Sequence, residues 1–400
     1  MVIQGKFAQA VCFAKVIEEE AIAQIQRMCD YDFTGNSVIR IMPDVHAGKG
    51  CTIGTTMTVA DKVVPNIVGV DIGRGMYTVR LDQREIDLPL LDEAAHFVPS
   101  GKNVWNERKA HFDLSELRCF RELKDTRRLE RSLGTLGGGN HFIEVDRAED
   151  GTLYLVVHTG SRNLGKQVAE HYQRKAVEIH QGRGEEYEKK RDALIAEYKA
   201  AGRRKEIQQA LKEIEWTPKA LDVPEDLCWL SGRYLSDYLH DVALCQEFAR
   251  ISRELIASIL MERANLTGSE AFHTVHNYID TDEMILRKGA IAAHKEEKVL
   301  IPVNMRDGSI LAVGRGNPDW NLSAPHGAGR LLSRSAARRQ LNMEAYAEAM
   351  RGIYTTSVSM ETIDEAPMAY KSLADIADVV SESVDIIEII KPIYNFKAAD

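Results

Sequence analysis

The feature that most constrains this chain is a recurrence. A β-rich or glycine-containing stretch brings an aspartate or a histidine to a loop at Asp44, Asp71, His141, His158, His276 and His326. α/β folds place ligands where strands run out into such loops. Scattered His and Asp donors of this kind suit a borderline metal such as Mn, Fe or Zn, although spacing along the chain does not by itself bring them together. The chain has no H-E-x-x-H, no P-loop G-x-x-x-x-G-K-[ST] and no G-x-S-x-G, so the familiar zincin, phosphate-loop and nucleophile-elbow chemistries have no anchor.

The last of these stretches, Pro325-His326-Gly327-Ala328-Gly329-Arg330, carries the most chemistry. Gly327 and Gly329 lack Cβ atoms, so a phosphate or nucleotide can approach the backbone and accept its N–H groups. Arg330 adds a fork suited to phosphate oxygens. An imidazole beside such a cradle can attack phosphorus and form a phosphoramidate. The alternative reading is a surface turn.

Bulk properties set the class. With 400 residues, 44% hydrophobic and 28% charged, the chain is ordinary for a globular protein. No apolar run is long enough to span a membrane, and the N-terminus lacks a signal-peptide pattern. The six cysteines form no C-x-x-C pair, which suggests reduced thiols and a cytoplasmic location. A net charge of −9 argues mildly against nucleic acid. Charge is local, however. Arg118, Arg121, Lys124, Arg127, Arg128 and Arg131 precede a glycine loop, and Arg330, Arg334, Arg338 and Arg339 follow His326. Each cluster is either a binding patch or a solvated helix face.

Taken in order, the spacing predicts a helix over 18–28 and a buried strand over 38–42. That strand ends at Asp44, which is either a turn cap or a site residue. Residues 51–80 read as a β meander containing Asp71, a turn aspartate or a metal carboxylate. Residues 85–131 read as mostly helical, and 166–262 as a helical excursion: a hairpin to about 220, then two helices over 228–262. The run Gly137-Gly138-Gly139 feeds a strand on which Asn140, Phe142 and Glu144 share one face and His141 and Ile143 the other. His273 and His276 fall on opposite faces of a strand and are not expected to share one metal. The fold expected is α/β (α+β), a single large domain over 1–400 with mixed β-sheets.

The stretches MPDVHAGKG (42–50), VGVDIGRGM (68–76), GGGNHFIE (137–144), VHTGSRNLG (157–165), HNYI (276–279), PHGAGR (325–330) and AYK (369–371) resemble, in order, the RtcB family of RNA-splicing and repair ligases, especially its shorter bacterial form. The resemblance implies an enzyme that joins an RNA 3′-phosphate or 2′,3′-cyclic phosphate to a 5′-hydroxyl, using GTP and Mn²⁺. Its implied partners are such RNA ends and an archease-like or release-factor-like accessory protein. It implies that His326 is guanylylated and Asp44 orients it, and that Asp71, His141, His158 and His276 ligate metal. Asn140, His141, Phe142, Ile143, Glu144, Asn277, Pro302, Val303, Asn304, Met305, Ser309, Gly327, Ala328, Gly329, Tyr370 and Lys397 would contact the guanylate. The chain departs from the family pattern at Arg74, where the pattern has a cysteine whose thiolate bridges two metals. Arginine cannot ligate and repels a second cation, so one tightly held ion is expected. An altered-activity or non-catalytic RNA-end-binding paralogue is the alternative. Asn304 stands where the longer form has serine and keeps donor and acceptor groups.

Overall fold

The computed structural model describes residues 1–212, 214 and 217–397. Its centre is a mixed 12-stranded sheet. From one edge its order is Val2–Gln4, Gln9–Cys12, Ile39–His46, Ile53–Thr58, Ile285–Lys288, Gly268–Asp280, Arg74–Leu81, Leu153–Thr159, Phe142–Arg147, Val384–Lys397, Gly308–Gly314 and Lys298–Asn304. Only Gln9–Cys12 and Ile39–His46 pair in parallel; the other ladders are antiparallel. The expected α/β class with mixed sheets is what the chain adopts.

Burial explains why these segments are strands. Every residue of Leu153–Thr159 is buried, which suits its Leu/Val-rich run. On Phe142–Arg147 the odd positions Ile143 and Val145 face one apolar cluster with Leu155, Val157 and Ile256. Phe142 faces another with Met76, Val156 and Ile390. The helix Gly232–Arg263 lies across Leu153–Thr159 and Arg74–Leu81 and covers that core with Ile256, Ala257 and Leu260. The expected helix start over 18–28 is realised as Glu19–Cys29, burying Ala21, Ile25 and Met28.

Several expectations are corrected. Residues 228–262 hold one long helix rather than two, because no Gly or Pro interrupts the chain after Gly232. Residues 85–131 are mostly irregular. Their α-helices are Leu88–Phe97 and Thr126–Ser132, with short 3₁₀ turns between. Buried Asp241 fixes this stretch by accepting the N–H groups of Arg118 and Cys119 at 2.8 and 3.0 Å. Residues 51–80 supply strands but no meander. The hairpin Gly268–Asp280/Ile285–Lys288 inserts between Ile53–Thr58 and Arg74–Leu81. The strand expected over 38–42 runs on through Pro43 to His46, with a break in pairing between Ile41 and His46, so Asp44 sits on a strand rather than in a loop. The stretch expected to be a helical hairpin or lobe, 166–220, holds the helices Arg162–His180, Glu185–Ala200 and Ile207–Lys212, and its residues 213, 215 and 216 lie outside the described residues.

Candidate active site

The sheet's strand ends and the His326 loop enclose a cavity of about 340 Å³. His158, His276 and His326 line one wall, and His141, expected at both metal and guanylate, continues the row of imidazoles behind the lining. His141 and His158 have ring centroids 5.5 Å apart, His158 and His276 5.1 Å, and His276 and His326 5.1 Å. A carboxylate closes each end of the row. Asp71 Oδ2 is 3.1 Å from His141 Nε2, and Asp44 Oδ2 is 2.7 Å from His326 Nδ1.

The Asp44–His326 pair has the geometry of a carboxylate-held imidazole. Asp44 is 4% exposed and accepts the Nδ1 proton of His326, leaving the Nε2 lone pair free on the cavity side. Gly329 makes the pairing possible. Its φ is +75°, and a Cβ there would stand 3.2 Å from the Asp44 carbonyl oxygen. His46 Nδ1 donates to the same carbonyl at 3.0 Å.

The other histidines are neutral donors. Burial pushes His158 and His276 well below the ordinary histidine range, and the Arg74 guanidinium adds to the effect. Burial also lowers His141, despite Asp71. Backbone carbonyls hold two of the rings: Leu136 O accepts from His141 Nδ1 at 2.9 Å and Asn140 O from His158 Nδ1 at 3.0 Å. Both Nε2 atoms are then lone-pair donors, the arrangement of a metal-ligating histidine. Burial raises the Asp71 carboxyl, but His141, Arg74 and Arg162 outweigh it and hold it below its usual range. In the tautomer that places the ring proton on Nδ1 toward Leu136 O, Asp71 Oδ2 and His141 Nε2 face each other as two acceptors, a contact that a cation between them would satisfy.

This set fits a divalent ion such as Mn²⁺. His158 Nε2 and His276 Nε2 are 3.3 Å apart. Two nitrogens each roughly 2.1 Å from one ion at a tetrahedral angle are separated by about 3.4 Å. The predicted ligands nevertheless stand as two pairs, Asp71–His141 and His158–His276. Among the described residues, the one trio of such donor atoms within 4.8 Å is elsewhere, at Asp280, Glu283 and His294. There, burial lowers the imidazole but Glu283 and Glu297 hold it above its ordinary range, so a proton on the ring competes with a metal ion. His273, three residues before His276, lies outside the cavity, stacked on Tyr77 and bonded to Glu254 at 3.0 Å.

The expected nucleotide contacts separate by strand face. Asn140, Phe142, Glu144, Asn277, the run Pro302–Met305, the loop Gly327–Gly329, Tyr370 and Lys397 line the cavity. Ile143 turns its side chain into the core on the opposite face, and buried Ser309 lies behind Pro302 on the neighbouring strand. Arg330 is not the free phosphate fork that its sequence context suggests. It donates to Glu365 at 3.2 Å, to Tyr370 Oη at 3.0 Å and to backbone carbonyls. Arg334 and Arg338 likewise pair with the buried acids Asp364 and Glu365.

Sequence reasoning missed Glu365 and Asn395. Glu365 accepts from Tyr370 Oη at 2.5 Å and Lys397 Nζ at 2.9 Å, joining both to the arginines. Asn395 Nδ2 donates to Glu144 Oε2 at 2.5 Å, while its buried Oδ1 has no partner. Two-residue alternation could have found Asn395, since it shares a strand face with Lys397. Below Glu144 lies Asp146, fully buried, with neither carboxyl oxygen hydrogen-bonded. Burial and the adjacent Glu144 raise it far above the usual carboxyl range.

A family profile described as "tRNA-splicing ligase RtcB" matches residues 24–120 and 107–398. The chain is 29% identical over 393 residues to an RNA-splicing ligase RtcB of Escherichia coli (strain K12), covering 88% of this chain and 87% of that protein. It is 28% identical over 440 residues to a tRNA-splicing ligase RtcB of Aeropyrum pernix, covering 85% and 83%. An RNA-splicing ligase RtcB2 of Escherichia coli (strain ATCC 25922) is 26% identical, with 89% and 86% covered. With nearly its whole length matched, this chain belongs to the RtcB family of tRNA-splicing ligases.

Proposed function

We propose that this chain is a GTP- and Mn²⁺-dependent RNA ligase that joins a 3′-phosphate or 2′,3′-cyclic phosphate end to a 5′-hydroxyl end through a guanylylated His326. The family's names supply the RNA-ligase class. The observation that carries the histidine step is the 2.7 Å Asp44–His326 contact, which leaves Nε2 as a free nucleophile facing the cavity.

His326 Nε2 attacks the α-phosphorus of GTP; the N–P bond forms as the bond to pyrophosphate breaks. Asp44 stabilises the positive charge that develops on the ring. The cavity-lining Gly327–Gly329 loop lets the nucleotide approach the backbone. Glu144 offers acceptors to the donor edge of guanine, a preference for guanine over adenine, and Asn395 holds it in place. An oxygen of the RNA 3′-phosphate then displaces His326 and takes the guanylate. The 5′-hydroxyl finally attacks the activated 3′-phosphate and GMP leaves. Asp71, His141, His158 and His276 would hold the Mn²⁺, which neutralises phosphate charge when bound. Exposed Arg118, Arg121, Lys124 and Arg127 are candidates for the RNA backbone.

Arg74 favours a second reading, an RNA-end-binding paralogue with altered or lost sealing, because it sets a guanidinium 3.8 Å from Asp71 Oδ2. The assay that separates them supplies a 3′-phosphorylated RNA and a 5′-hydroxyl RNA with GTP and Mn²⁺. A joined product that disappears without GTP is the expected result. RNA binding with no joined product at any Mn²⁺ concentration would favour the paralogue.

A further inference from the structure

Arg74 opens the strand Arg74–Leu81 and lines the cavity beside His158 and His276. The cavity's other cations are already engaged. Arg330 donates to Glu365 and Tyr370, Arg334 pairs with Asp364 and Glu365, and Lys397 bonds Glu365 at 2.9 Å. Arg74 differs from all of them. Among the described residues its ion pair is with Asp71 alone, at 3.8 Å, beyond hydrogen-bond reach, and its buried Nε has no partner.

A guanidinium carries a fixed charge and five N–H donors in a planar fork. Leaving such donors unmade in a secluded site is costly, and the cost is removed by a ligand that accepts them. The neighbouring His158 and His276 carry no negative charge to set against it, and Asp71 is shared with His141 at 3.1 Å. The ligand must be an anion with at least two oxygens spaced for the fork, which a phosphoryl group provides.

We propose that Arg74 is a phosphoryl-binding residue, holding an anionic phosphate group at the histidine end of the cavity without a metal ion at its own position. The proposal deepens the ligase reading, on which it rests for the source of the phosphate: the tail of GTP or the 3′-phosphate of RNA. The fork's need for an anion is independent of that reading.

The test is calorimetric titration of the full chain in EDTA. One arm uses inorganic pyrophosphate. The other uses a short oligoribonucleotide with a 3′-phosphate, read against the same oligonucleotide with a 3′-hydroxyl. Wild type should bind at least one phosphorylated probe about tenfold or more tightly than Arg74→Ala does, with Arg74→Lys between them. The arm showing the loss identifies the source. Arg74→Ala should melt no lower than wild type without phosphate, since it removes a buried Nε with no hydrogen bond and only a 3.8 Å ion pair; if it fails to fold, Arg74→Gln takes its place. The same loss should appear in a His326→Ala background, where guanylylation is not at issue. Equal affinities of folded wild type and Arg74→Ala in both arms would overturn the proposal, as would phosphate binding that appears only when Mn²⁺ is restored.

Discussion

Glu365→Ala is expected to unfold at markedly lower urea concentration than wild type, losing about 3–5 kcal/mol, and to lose nucleotide binding in the fraction that folds. Glu365 is 2% exposed, accepts from Tyr370, Lys397 and Arg330, and forms an ion pair with Arg334. Removing it strands Lys397, itself only 7% exposed, without its acid and frees Tyr370 to move in the cavity wall. Burial raises the Glu365 carboxyl, but Lys397, Arg334 and Tyr370 together hold it at about 2, against an ordinary value of 4.5. Its folded pKa is depressed, so its contribution is present above about pH 4.5 and lost as pH falls toward 2. That difference corresponds to roughly 3 kcal/mol. Wild type should therefore lose stability across this window, and Glu365→Gln should flatten that part of the profile. A Glu365→Ala protein of wild-type stability would show that the arginines and Lys397 re-pair without cost.

Asp44→Asn should slow transfer of guanylate from GTP to the protein by about 10³-fold while leaving GTP affinity within a fewfold. The substitution keeps the shape of the side chain but replaces its charge with an amide. The amide can donate to Nδ1 of His326, which moves the ring proton to Nε2 and removes the attacking lone pair. Asp44 is buried behind the ring, outside the cavity lining, so the nucleotide has no direct contact to lose. Single-turnover labelling at saturating GTP measures the rate, and equilibrium binding measures the affinity. A rate within tenfold of wild type would remove Asp44 from the step.

The residues legible in the sequence share one property: local pattern decides where they sit. His158 and His141 flank apolar or glycine-rich strand boundaries, and His326 lies in a glycine loop, so each announces itself. The face rule separated Phe142 and Glu144 from Ile143, but only the structure shows that the first two face the cavity and that Ile143, expected at the guanylate, faces the core. What local pattern could not give is which strands are neighbours. Residues 51–80 have the composition of a meander, but partner choice is a long-range matter, and the hairpin from 268–288 takes the place between them. Glu365 was hidden for the same reason. It belongs to a 3₁₀ turn with no periodicity, and only the fold brings it to Lys397 and the arginines after His326. Those arginines read as a phosphate patch because their buried acids are remote in sequence. Arg74 was visible as a departure, yet only the structure shows that its buried Nε has no partner and that its one ion pair among the described residues is a 3.8 Å contact with Asp71.

The central claim is that His326 carries the guanylate. Its most direct measurement is incubation of the protein with Mn²⁺ and GTP labelled at the α-phosphate, then denaturation and mapping of the modified peptide. The predicted result is an acid-labile, base-stable adduct on the peptide containing His326, absent from His326→Ala. An adduct that persists in His326→Ala, or that maps to any other residue, would contradict the account.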